Sequence, residues 1–400
     1  MKNCLVAQSG GPTSVINASA VGLYLANKEN GHFDKVLAGL NGIEGVLRED
    51  FFDMSELTDE EVELLRTTPS AGLGSCRYKL KDSTVNKEEY EKLFDIFSRH
   101  SIDSFFYIGG NDSQDTVKKL SAYAKENGFD VRINGIPKTV DNDLMVIDHT
   151  PGFGSAAKYI ATSVLESYLD SLVYTNNGIF IVETMGRDAG WLAASACLAR
   201  YNGRQCADFI LLPEVPFDEA AFAAKVKETF EKKNHVYIVA SEGVKYPNGD
   251  FLAATKAQSH DSFGHAQLGG AGNAIKAIIE ANGITNRIKV LELSVLQRCA
   301  FHAVSEVDLE ESGKLGKTAL LLAAAGETGK VAILVRESDE PYKVNFTSTD
   351  AANIANKVKY FPAEWVTPDG FNIKEEALSY FVPLAGKMPE YRVIHKYHNM

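Results

Sequence analysis

The chain has only five cysteines, Cys4, Cys76, Cys197, Cys206 and Cys299, scattered along 400 residues and never in a CxxC pair. An odd, dispersed set offers no zinc framework and no disulfide scaffold, and it fits a reducing compartment. No stretch approaches the ~18 apolar residues of a spanning helix, and the apolar run of MKNCLVAQSGG is too short for a signal peptide. The expectation is a cytoplasmic protein with no membrane partner. Internal repeats, low-complexity tracts and Pro/Gly linkers are also missing. So are the G-x-G-x-x-G dinucleotide turn and the G-x-x-x-x-G-K-[ST] P-loop. Positive charge is scarce as well, with 41 Lys and Arg against 53 Asp and Glu, a net charge of −12. That balance argues against nucleic acid as a partner. Any phosphate site must therefore be built locally from a few lysines and arginines.

What is present is alternation. Short apolar runs (CLVAQSGG, DKVLAGLNG, SFFYIGG, VRINGIP, GIFIVETMG, ADFILLPE, HVYIVASEG, RIKVLELSVL, KVAILVR) end in glycine or small polar residues, and amphipathic segments separate them. In DEAAFAAKVKETFEKK, Phe222, Val226 and Phe230 recur at helical spacing, and Ala156, Ile160, Val164 and Tyr168 keep the same rhythm after Gly154. This pattern predicts an α/β protein with mostly parallel sheets, in which ligands bind outside the carboxyl ends of the strands. A length of 400 residues suits two domains, with a seam near Thr150–Gly154. Beyond about Arg336 the sequence reads as an irregular C-terminal extension.

The unusual residues sit at the expected strand ends. SGGPTSVINAS, with Gly11, lets backbone approach an anion at a helix start. GLGSCRYKL places Arg77 after a turn. YIGGNDSQDT ends a strand in Asn111, Asp112 and Ser113, a trio that would also serve as a plain helix cap. PKTVDNDL carries Lys138, Thr139, Asp141 and Asp143. Carboxylates two apart in an extended segment face one side, as if to share a cation or divide labour between base and ligand. A simple Asx turn would need only Asp-Asn-Asp. ETMGRDAGW places Met185, Gly186 and Arg187 at a turn suited to a phosphate contact, although Arg187 could equally pair with Glu183 or Asp188. SEGV adds Glu242 and LQR adds Arg298. Together these strand ends describe a site for two phosphates and a cation.

In order and approximate spacing, SGGPTSVINA, GSCR, GGNDS, PKTVDND, MGRDAGW, SEGV and LQR resemble the 6-phosphofructokinase family over roughly the first 335 residues. The resemblance implies two Rossmann-like domains with the active site in the cleft between them. It implies a phosphoryl-donor domain over 1–150, a fructose 6-phosphate domain over 151–308, a crossover back at 309–335 and an extension over 336–400. In ATP-using members the two variable motif positions resemble GGDGS and PGTIDND. Here they hold Asp112 and Lys138, as in the pyrophosphate-dependent branch. A carboxylate at 112 would repel the α-phosphate of a nucleotide, and an ammonium at 138 would meet a terminal phosphate. These two residues are the implied donor-selectivity pair.

The resemblance further implies that Asp141 is the base for the C1 hydroxyl, with Arg187 beside it in catalysis. Gly11, Arg77, Asp112 and Lys138 would face pyrophosphate. Thr139, Met185, Gly186, Glu242 and Arg298 would hold the sugar phosphate. Asp143 would ligate Mg²⁺, and Asn111 stands where many members have a metal-ligating aspartate. The expected activity is reversible, Mg²⁺-dependent phosphoryl transfer from pyrophosphate to fructose 6-phosphate by a homo-oligomer, a dimer or tetramer. Two alternatives are an ATP-dependent 6-phosphofructokinase and a non-catalytic regulatory subunit.

Overall fold

Residues 2–175, 177–253 and 270–394 are described in a computed structural model of the chain. The chain divides into two units. The first takes Met1–Val140, Leu144–Ser155 and Arg298–Val358, and the second takes Asp141–Asp143, Ala156–Gln297 and Lys359–Met400.

The first unit opens with β1 (Asn3–Gln8), α1 (Ile16–Asn30), β2 (Val36–Gly39), α2 (Gly42–Arg48) and β3 (Phe51–Asp53). It continues with α3 (Asp59–Thr67), α4 (Lys87–Arg99), β4 (Ile102–Gly109), α5 (Asn111–Asn127) and β5 (Arg132–Pro137). Helix α6 (Phe153–Ser171) leads to β6 (Ile179–Thr184), α7 (Trp191–Ala194), β7 (Arg200–Tyr201), β8 (Arg204–Gln205) and β9 (Phe209–Leu211). Then come α8 (Glu219–Lys233), β10 (Val236–Ser241), α9 (Ala271–Ala281), β11 (Ile288–Glu292) and α10 (Leu296–Cys299). The chain returns to the first unit through α11 (Glu306–Ala324), β12 (Lys330–Asp339) and β13 (Tyr342–Asp350), and α12 (Leu378–Ala385) belongs to the second.

The sheet of the first unit runs β13-β12-β5-β4-β1-β2-β3. Its middle strands are parallel, and both edges are antiparallel, β13 on β12 and β3 on β2. Leu5, Val6, Phe105, Phe106 and Ile108 are fully buried. Strands covered on both faces read as the unbroken apolar runs of the sequence. The second unit has a wholly parallel sheet, β11-β6-β10-β9. Its core holds Phe222 and Val226, the apolar stripe of α8. Among the described residues no helix is long and apolar enough to cross a membrane.

Two local expectations change. Helix α5 has Gly110 at its N-cap with no side-chain cap, so Asn111 and Asp112 lie inside the first turn and are not spent closing it. Past Arg336, where irregular chain was expected, β12 continues and turns back as β13. In β13 the odd positions of Lys343–Thr347 are exposed while Val344 and Phe346 pack on the core, the alternation of an edge strand with one wet face.

Strand order also locates the crevices. In the first sheet β1 is flanked by β2 and β4, so connections leave it in opposite directions, and the loops after β1, β4 and β5 meet at one rim. In the second sheet the ends of β6 and β10 lie side by side, with Thr184 opposite Ser241.

Candidate active site

On the first unit's rim, the loop after β1 is tied to the GSC turn. Gly10 N–H donates to the carbonyl of Cys76 at 2.9 Å, and Ser75 Oγ donates to the carbonyl of Gly10 at 2.7 Å. Arg77 follows directly and is exposed. Lys138, one residue past β5, is buried at 2 % exposure, and its Nζ donates to the carbonyl of Gly11. The glycines make this approach possible. A Cβ on Gly10 would stand 3.3 Å from Lys138 Nζ, and one on Gly11 would stand 3.1 Å from Arg298 Nη1. Gly10 also has φ +74°, the left-handed region that side chains disfavour. The bare turn therefore has an ammonium and a guanidinium against it, and Arg298 Nε is a buried donor with no hydrogen-bond partner among the described residues.

Asp112, on the first turn of α5, faces Lys79 at 3.6 Å. Asn111 behaves differently. Its Oδ1 accepts from Asn356 N–H at 2.5 Å and its Nδ2 donates to the carbonyl of Lys357. Asn356 Nδ2 then reaches Asp115 at 2.9 Å. The amide of Asn111 is thus committed to holding the 356–357 backbone.

Thr139 is fixed through its backbone. It bridges to Gly152, its N–H donates to the carbonyl of Pro151 at 3.2 Å, and its carbonyl accepts from Thr150 Oγ1 at 2.7 Å. Beyond it the chain bends. Asn142 adopts φ 55°, so Asp141–Asp143 is not the extended segment that would place both carboxylates on one side. A left-handed residue between them breaks the two-residue alternation, and asparagine tolerates that conformation better than most. The bend still brings two carboxylates within one residue of each other on a fixed backbone. Among the described residues no group of three or more His, Cys, Asp or Glu could hold a metal ion. Mg²⁺ takes only one or two carboxylates where phosphates supply the remaining oxygens, so Asp143 alone is compatible with it, whereas the Asn111 amide is committed to backbone.

On the second unit's rim, Gly186 has φ +119°, and a Cβ there would lie 2.7 Å from the carbonyl of Ala189. Its own carbonyl accepts from Ser241 Oγ, which also accepts from Gly243 N–H at 3.1 Å. Met185 N–H donates to Gln297 Oε1 at 3.1 Å, and Glu242 N–H donates to the carbonyl of Thr184 at 2.9 Å. Met185, Gly186 and Glu242 are therefore carried on adjacent strand ends. Arg187 pairs with Asp188 through both Nε and Nη2 at 2.8 Å. Glu183 is not its partner. That carboxylate accepts from Gly270 N–H at 2.9 Å and Gly272 N–H at 2.8 Å, at the start of α9. Burial raises its pKa against those bonds.

A further set of residues was not singled out in the sequence. Lys359 N–H donates to the carbonyl of Asp143 at 2.8 Å, and its Nζ donates to Asn142 Oδ1 at 3.1 Å. Trp191 Nε1 donates to the carbonyl of Lys359 at 2.9 Å. Glu214 Oε1 accepts from both Gly190 N–H and Phe361 N–H at 2.8 Å, and burial pushes this carboxyl's pKa up. The available signal was aromatic. Trp191, Phe361, Trp365 and Tyr380 form one cluster with ring centroids 5.1–6.3 Å apart.

Two sheets built mainly of parallel strands, with glycine turns and charged side chains at their strand ends, define an α/β architecture with its candidate ligand groups on the strand-end rims. The sequence profile described as Phosphofructokinase matches residues 3–298. A protein of Halomonas elongata named pyrophosphate–fructose 6-phosphate 1-phosphotransferase is 42 % identical over 385 residues, 96 % of this chain and 91 % of that one. A crystal structure of a pyrophosphate-dependent phosphofructokinase from Marinobacter aquaeolei matches with a TM-score of 0.85 at 36 % identity, covering 100 % of this chain and 97 % of the other. Another, from Nitrosospira multiformis, gives a TM-score of 0.87 at 36 % identity, with coverages of 99 % and 96 %. The chain is a member of the phosphofructokinase family.

Proposed function

We propose that this protein transfers a phosphoryl group from pyrophosphate to the C1 hydroxyl of fructose 6-phosphate, releasing fructose 1,6-bisphosphate and phosphate. The reaction is reversible and uses Mg²⁺. The observation that carries this reading is the buried Lys138 ammonium on the Gly10–Gly11 turn, with the unpartnered Nε of Arg298 beside the same turn. In a protein of net charge −12, a lysine buried at this turn suits a strongly anionic ligand. The names of the relatives support pyrophosphate as that ligand.

Gly11, Arg77 and Lys138 bind pyrophosphate, and Asp112 repels the longer polyphosphate chain of a nucleotide. Thr139, Met185, Gly186, Arg187 and Glu242 hold the sugar, and Arg298 takes its 6-phosphate. Asp141 accepts the proton of the C1 hydroxyl as that oxygen attacks the terminal phosphorus. Phosphate departs, with Arg187 balancing the developing charge. Asp143 would hold Mg²⁺, which when bound neutralises charge on the phosphates. Phosphoryl transfer requires positioning and charge neutralisation more than covalent chemistry, so one carboxylate suffices as base.

The protein is further read as a cytoplasmic homo-oligomer, a dimer or tetramer. Five free cysteines, four of them buried, suit a reducing compartment. The edge strand β11, followed by exposed Val295 and Leu296, suits a subunit contact.

The test measures fructose 1,6-bisphosphate formation with pyrophosphate or ATP for wild type, Asp112→Gly and Asp141→Ala. Turnover with pyrophosphate alone, reduced by about 10²–10⁴-fold in Asp141→Ala, is the expected result. Turnover with ATP would establish the nucleotide-dependent alternative, and turnover with neither donor the regulatory subunit.

A further inference from the structure

The Asp141–Asn142–Asp143 bend needs an external support. Its central residue is left-handed at φ 55°, and its side chain is completely buried. Three of the described bonds reach it from the C-terminal part of the chain. Lys359 Nζ donates to Asn142 Oδ1 at 3.1 Å, Asn142 Nδ2 donates to Tyr380 Oη at 2.7 Å, and Lys359 N–H donates to the carbonyl of Asp143 at 2.8 Å. Lys359 is fixed in turn. Its ammonium lies 4.9 Å over the Trp191 ring, and its carbonyl accepts from Trp191 Nε1 at 2.9 Å. Two residues on, Phe361 N–H shares Glu214 Oε1 with Gly190 N–H.

We propose that Lys359 is a positioning residue for the reaction, holding the base-bearing bend through the side chain of Asn142. The inference rests on the reading of Asp141 as the base. The segment from Lys359 to Phe361 works as a brace between two motifs of the second unit. One end grips the bend, and the other grips the Gly190–Trp191 start of α7, just beyond the Met185–Arg187 turn. A shift of about 1 Å in a reacting group can cost ~10²-fold in rate, so a brace of this kind acts on turnover more than on sugar affinity.

A double-mutant cycle on the full-length protein tests it. Lys359→Met keeps the length and apolar packing over Trp191 but loses the charge-assisted bond. Asn142→Gly keeps the left-handed backbone and loses the side chain that Lys359 grips. Each single variant is expected to lower kcat by about 10- to 100-fold with KM for fructose 6-phosphate within ~3-fold. The double variant should be no worse than the poorer single, because both remove the same link. Lys359→Arg, which keeps a cation over the tryptophan, should recover most of kcat.

Wild-type kcat in both single variants overturns the proposal, as does a double variant whose loss equals the product of the singles. The base reading fails separately. Asp141→Asn with wild-type kcat overturns that reading and this inference together. An inactive Asp141→Asn alongside fully active Lys359→Met overturns the brace alone.

Discussion

The two rims carry their positive charge in opposite ways. In the first unit, Lys138 is 2 % exposed and bonded to a glycine carbonyl, and Arg298 lies beside the same turn with a buried, unpartnered Nε. In the second, Arg187 is 31 % exposed and engaged by the carboxylate of Asp188, itself 39 % exposed. A buried ammonium has given up much of its hydration and interacts strongly with whatever anion replaces it. A half-exposed ion pair is screened and worth little, so its guanidinium can change partners at small cost. The first rim thus keeps its cation buried, whereas the second keeps its own near solvent.

Lys138→Met should break this contrast most severely. It leaves the carbonyl of Gly11 facing an apolar side chain and removes the built-in charge. The expected result is a kcat loss of about 10²–10³-fold with pyrophosphate. A loss below tenfold, measured in steady state, would mean that the first rim's buried charge is not central.

The next contrast is in stability, because each unit buries a histidine of opposite character. His149 of the first unit lies between Asp148 and Glu311, each at 2.7 Å. Burial lowers its pKa, but the two carboxylates outweigh that and the net shift is upward. Its contribution to stability is complete below the ordinary histidine value of about 6.5 and is lost as pH rises through the higher folded value. His235 of the second unit is pushed down to about 4 by burial, and its Nε2 meets the neutral Ser171 Oγ at 2.8 Å. Its contribution is complete above ~6.5 and is lost as pH falls toward 4, on the order of 2–3 kcal/mol. Thermal unfolding between pH 7 and 5 should show acid destabilisation that His235→Gln relieves and that a change at His149 does not.

The smallest effect sharpens the second rim. Asp188→Asn releases Arg187 and should lower KM for fructose 6-phosphate by about 2- to 3-fold, with kcat changed by less. A rise in KM would show instead that Asp188 holds the arginine in its working position.

Much of this arrangement was legible in the sequence because parallel strands write themselves as apolar runs and the candidate site residues follow each run. Gly11, Lys138, Met185 and Glu242 all stand within a few residues of a strand end. The contents of the rim loops were harder to read. Carboxylates two apart suggested an extended segment, and one left-handed asparagine altered that geometry. Asn111 looked like a metal ligand by position, yet its amide holds backbone some 245 residues away, a pairing no local pattern signals. Lys359 was invisible for the same reason, because its role depends on a long-range return to Asp143. The β12–β13 hairpin was missed because its solvent face dilutes the alternation of Val344 and Phe346 with polar residues.

That hairpin has a consequence for how the protein is made. β12 is the neighbour of β5, with Val331 opposite Gly135, and it is preceded by the packed helix α11. On the ribosome, β5 is finished long before β12 exists, and the whole of Ala156–Gln297 is synthesised in between. Throughout that interval the growing sheet has an unpaired inner edge at β5, a template for mispairing with another nascent chain. The first unit begins first yet closes only once Arg298–Val358 has been made, so a translation stall near residue 300 would leave its sheet open at β5.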